Sequence, residues 1–89
     1  MNKQQVEALF PLEAWITPAI IEVADVNNAT ECIGALTLRS ALGLSLVVGW
    51  VTYSGVIFTD DAPVDVTTYE RINMMKVTEP QKVTFVLSP

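Results

Sequence analysis

Histidine is absent from this chain. That removes the commonest general base, the commonest zinc ligand and the standard serine and cysteine triads. Cysteine is nearly absent as well. Cys32 is the single one, so no intramolecular disulfide can form, and one thiol without histidine cannot build a structural zinc site. Small secreted domains usually carry several cysteines, so this usage points to a cytoplasmic protein. Glycine-rich phosphate loops and the GxSxG nucleophile elbow are missing too. Catalysis would have to rest on Asp, Glu, Tyr, Lys or Thr, and no arrangement of these marks a reaction. The expectation is a protein that is not an enzyme and takes no cofactor and no metal.

Basic residues are also scarce. Lys3, Arg39, Arg71, Lys76 and Lys82 stand against ten acidic residues, for a net charge of −5. They form no patch or stripe, and an acidic chain repels phosphate, which argues against direct nucleic-acid binding. The acidity suits either plain solubility or a basic partner. The N-terminal stretch MNKQQVEALF has one lysine and no long apolar segment before Glu13, so it does not read as a signal peptide.

What the chain has in quantity is apolar side chain: 51% of its 89 residues are hydrophobic. A chain of this length makes one domain, residues 1–89. A domain so small has much surface and little interior, so part of its apolar area lies near the outside unless something covers it. The composition therefore predicts association, with a protein partner or with copies of itself as a homo-oligomer.

The longest uncharged run is Ala41–Phe58, eighteen residues. As one helix it would just cross a bilayer; as strands it would be the core hairpin of a small domain. Arg39 before it and Asp60-Asp61 after it suit a membrane span. Its serines, threonine and glycines, and its β-branched Val47, Val48, Val51, Val56 and Ile57, favour the hairpin, with Ser54-Gly55 as a two-residue turn. The hairpin, with strands over Leu44–Tyr53 and Val56–Thr59, is the reading adopted, and a membrane is not an expected partner.

Elsewhere, Asn2 and Gln5 form a capping-box pattern for a short first helix that Pro11 ends or kinks. Residues 12–16 are read as a helical continuation. Thr17-Pro18 starts another helix, although residues 19–26 also fit a strand loosely. Asn28 to Glu31 repeats the capping box ahead of a helix Ala29–Leu42, closed by Gly43. Thr67 to Glu70 shows the same logic before a short helix to Lys76, with a strand as the alternative across 68–76. Lys82–Leu87 alternates as a strand, placing Val83, Phe85 and Leu87 on one face. Lying last in the chain, it is weighed both as an open sheet edge and as an edge covered internally. The fold class is α+β: a helical N-terminal half packed on a small antiparallel sheet formed by the C-terminal half.

Interaction candidates follow from residue type. Trp15 and Trp50 are large anchors, with core filling as the alternative. Asp60, Asp61 and Asp65 form a local carboxylate cluster suited to an acidic docking loop, a weak cation site or plain solvation. Met74 and Met75 could make an adaptable patch or fill the core. Phe85 sits on the last strand. Cys32 reads either as a thiol near a helix start or as a small buried apolar residue. Function is thus expected to be that of a small acidic interaction module. The alternatives are a structural subunit of a larger assembly such as a virion, and a small membrane protein spanning 41–58. In composition alone, the chain resembles small accessory or inhibitor proteins of phages and mobile elements; no motif carries that likeness.

Overall fold

The computed structural model describes residues 2–43, 51–53 and 55–89. In chain order its elements are helix α1 (Lys3–Glu7), strand β1 (Leu12–Ile16), helices α2 (Pro18–Val23) and α3 (Ile33–Ala41), strands β2 (Val51–Tyr53), β3 (Val56–Phe58) and β4 (Val64–Thr68), a 3₁₀ turn at Met74–Lys76, and strand β5 (Gln81–Leu87). The class is mixed α+β. The helices fall in the first half and four of the five strands in the second; β1 is the exception. The strands form one sheet in the order β1-β5-β4-β3-β2, every pair antiparallel.

Local chemistry explains the ends of the elements. At α1 the capping box forms as the sequence predicts: Asn2 accepts from the Gln5 amide and the Gln5 side chain accepts from the Asn2 amide, both at 2.9 Å. Thr17 caps α2, with Pro18 at the first helical position where no amide bond is lost. Gly43 follows α3 at φ +69°, the left-handed conformation that closes a helix without a Cβ clash. Tyr53 pairs with Val56, so residues 54 and 55 form the hairpin connection, and Gly55 takes φ +79°. A Cβ there would sit 3.3 Å from the Val66 carbonyl oxygen, an added reason for glycine.

Several expectations are corrected. Residues 12–16 form a strand, not helix: Ala14 and Ile16 point to the core while Glu13 and Trp15 face water, a period of two. Helix α3 starts at Ile33 rather than Ala29, because Asn28 spends its side chain on the Thr30 amide and hydroxyl and makes a turn of its own. The Thr67–Glu70 segment is the end of β4 and a turn, with only three residues of 3₁₀ helix following at Met74–Lys76. The terminal strand β5 is not an edge. It lies between β1 and β4. Nor is 41–58 one helix: α3 stops at Ala41 and the run ends in the β2–β3 hairpin. Among the described residues no helix is long and apolar enough to cross a membrane. Most of the strand expected from Leu44 lies outside the described residues.

The core forms on one face of the sheet. Val6 of α1, Ala14 and Ile16 of β1, Ile33 and Leu38 of α3, Ile57, Val64, Val66, Val83 and Phe85 make one buried cluster. Helix α3 lies mainly against β1 and β2, the two outermost strands, and so bridges the sheet's borders. Gly34 and Ala35, both buried, lie on its inner side. Within this core the Thr37 hydroxyl is fully buried with no hydrogen-bond partner.

Two substitutions check this core. Leu38→Ala removes a fully buried side chain and should cost about 2–5 kcal/mol of unfolding free energy. Thr37→Val keeps the shape, removes the unpaired hydroxyl, and should raise stability by about 1 kcal/mol. Urea denaturation measures both; a destabilising Thr37→Val would mean that the hydroxyl has a partner.

Candidate functional site

The strands alternate cleanly because only one sheet face is covered. On the other face stand Glu13 and Trp15 of β1, Lys82, Thr84 and Val86 of β5, and Asp65 and Thr67 of β4; Thr84 and Val86 are half-buried and the rest exposed. Tyr69 extends β4 by one more step, its amide donating to the Thr84 carbonyl at 2.8 Å. Two aromatic side chains on this face lie open to water: Trp15 is 62% exposed and Tyr69 is 74% exposed. Trp15 lies directly opposite Lys82, and Glu13 opposite Thr84. The Lys82 ammonium meets the Glu13 carboxylate at 3.1 Å, so the charges here are partly self-neutralised and the aromatic surface is left to set the character of the face.

The turn after β4 is held by Glu70. Both its carboxylate oxygens accept from the Thr84 amide at 3.0 Å, across fourteen residues of chain. The carboxylate thus stands in for a missing ladder partner on β5. The hydrogen bond from Thr84 favours the charged form and holds Glu70 below the usual carboxylate range, against a smaller opposing effect of desolvation. Arg71 closes the turn, donating its amide to the Thr68 carbonyl at 3.1 Å, and adopts φ +55°, a conformation that costs a non-glycine residue about 1 kcal/mol or more.

The other expected site residues are dispersed. Asp61 is structural: its Oδ1 accepts from the Lys3 amide at 2.7 Å, the Thr59 hydroxyl at 2.9 Å and the Ala62 amide at 3.1 Å. The carboxylate thereby fills an orphan donor in the first turn of α1 and ties that helix to the β3–β4 loop. These bonds, the Lys3 amide first, lower its pKa. Asp60 is exposed in the same loop, and Asp65 points outward from β4. Among the described residues no three Asp, Glu, His or Cys side chains gather as metal ligands would. Phe85 is corrected to a core residue, 4% exposed. Met74 packs partly buried against the core. Met75 is 61% exposed and, with Val26, Asn27, Ala29 and Cys32, borders a small crevice of about 180 Å³. Cys32 itself is buried. Trp50 lies outside the described residues.

Sequence reasoning found Trp15 but missed Tyr69, Arg71, Lys82 and Val86 as its neighbours. The signal was present in Val64, Val66 and Thr68. Their alternation marks a strand whose odd positions, ending in Tyr69, share the opposite face.

The chain matches no family model, and no curated protein or solved structure is similar to it.

The two anchored carboxylates make stability depend on pH. Each folded pKa lies below its ordinary value, 4.5 for Glu70 and 3.8 for Asp61. The folded chain therefore holds fewer protons than the unfolded chain in acid. Their contribution is complete above the ordinary values and is lost as pH falls through the folded ones. Glu70→Gln should flatten the loss of stability below about pH 4.5. Urea midpoints taken from about pH 6 to about pH 3 measure it; an unchanged acid limb would remove Glu70 from this role.

Proposed function

We propose that this chain is a small acidic protein-interaction module that binds a partner protein, or a second copy of itself, through the open face of its sheet, without catalysing a reaction. The observation that carries the proposal is the pair of exposed aromatics, Trp15 and Tyr69, on the one sheet face that no helix covers. Solvent exposure of such side chains is not required by the fold, since the core closes on the opposite face. Tryptophan and tyrosine dominate binding energies at protein interfaces, because each hides a large area at little cost in side-chain freedom. The half-buried Val86 adds apolar area between them, and the Glu13–Lys82 pair gives the patch a polar margin. The carboxylates with shifted pKa values, Asp61 and Glu70, are both engaged with backbone amides, which suits architecture rather than proton transfer. The single buried thiol suits a reducing compartment such as the cytoplasm.

A Trp15→Ala/Tyr69→Ala variant tests this reading. Both positions are exposed, so each change should move folding stability by no more than about 0.5 kcal/mol. Complex formation should weaken at least about tenfold, as for loss of an interface anchor. Sedimentation velocity reads self-association, and affinity capture from source-cell lysate reads a partner. Equal association or equal retention by the wild type and the variant would overturn the proposal. So would a wild-type chain that stays monomeric and retains nothing.

A further inference from the structure

Beside the open face, the ends of β4 and β5 border a groove of about 610 Å³, lined by Thr67, Thr68, Tyr69, Arg71, Val86, Leu87 and Pro89. Its charge is unlike that of the rest of the molecule. The chain carries twice as many acidic as basic residues, yet this lining has one cation and no acidic side chain. The nearest acid in sequence, Glu70, is turned to the Thr84 amide and is spent there. Among the described residues the Arg71 guanidinium has neither an ion pair nor a hydrogen bond. The backbone places it there at φ +55°, where glycine or asparagine would sit with less strain. Next to it, the Tyr69 ring, Val86, Leu87 and Pro89 offer apolar surface.

We infer that this groove docks an extended segment of a partner protein in which a carboxylate adjoins a large apolar side chain. The carboxylate pairs with the Arg71 guanidinium, whose planar fork accepts two oxygens at once. The apolar side chain lies against Tyr69, Val86 and Leu87. This occupant follows from charge complementarity: a solitary cation in an acid-free, partly apolar groove attracts an anion with an apolar body, and on an acidic protein it repels basic or polyanion-binding partners least suited to it. The inference rests on the interaction-module reading and specifies the chemistry of the partner.

The test uses the full chain labelled with ¹⁵N and titrated at low salt with acetyl-Asp-Leu-Phe-amide. Amide shifts should appear at Thr67–Arg71 and at Val86–Leu87 and should saturate. Replacing the probe's Asp by Asn, or Arg71 by Gln in the protein, should each weaken binding about fivefold or more, and the two changes together should cost little beyond either alone. Arg71→Lys should retain most of the affinity. Gln is held in the same backbone conformation as Arg and removes only the charge, so the comparison does not turn on folding. Three results would overturn the inference: equal binding of the Asp and Asn probes, shifts confined to other residues, or equal shifts from benzoate, which would put a small organic acid in place of a peptide. If partner capture depends on Trp15 but not on Arg71, this inference fails while the reading of the open face stands. If capture depends on neither, both fail.

Discussion

The antiparallel ladder that sets Ala14 opposite Val83 and Trp15 opposite Lys82 joins the first strand of the chain to the last. A slip of one residue in that register would send Ala14 and Ile16 into water and press Glu13 and Trp15 into the core. The register is therefore defended by burial on one side, and it determines what the other side displays. It also encloses β5, whose second neighbour is β4. Where β4 ends, the Glu70 carboxylate continues the pairing by binding the Thr84 amide. Thr84 turns both its backbone groups toward β4 and Glu70, so its pair with Glu13 is a non-hydrogen-bonded one, with the side chains close. The Lys82–Glu13 ion pair on that surface follows from the same geometry.

Because the helices gather on one face, the other inherits the aromatics that alternation assigns to it. The module is thin: one sheet, one layer of helices. α3 lies against both outermost strands, so a single short helix couples sheet curvature to core packing. The small buried residues on α3, Gly34 and Ala35, fit this close approach. The open face, with Trp15 and Tyr69, is where the surplus of apolar residues noted in the composition reaches the surface.

Much of this was legible in local chemistry. Asn2 with Gln5, Thr17 with Pro18, Gly43 after α3 and the turn at 54–55 all behave as their residue types dictate, since each depends on neighbours within a few positions. The alternation of Val83 and Phe85 was equally plain. What failed was whatever depends on distant partners. Leu12–Ile16 looks helical because Trp15 is apolar and blurs the period of two; only pairing with β5 makes it a strand. Asn28 and Glu31 match a capping box, yet the Asx turn to Thr30 wins. Glu70 matches another, yet its carboxylate is claimed by an amide fourteen residues away. Phe85 has the type of an interface anchor and lies in the core, because β5 is central rather than terminal in the sheet. The exposed site suffered likewise: Trp15, Tyr69 and Val86 come from three separate segments, and no spacing in the sequence unites them.

The β1–β5 register is the claim on which the rest depends, and it is open to a direct measurement. Non-hydrogen-bonded antiparallel pairs bring their Cα atoms to about 4.5 Å, with the Hα atoms in close contact. A nuclear Overhauser spectrum of the uniformly labelled chain should show strong Hα–Hα contacts between Glu13 and Thr84 and between Trp15 and Lys82. Strong contacts from Ala14 to Thr84 or Lys82 instead, or none between these segments, would contradict the account and with it the placement of Trp15 on the open face.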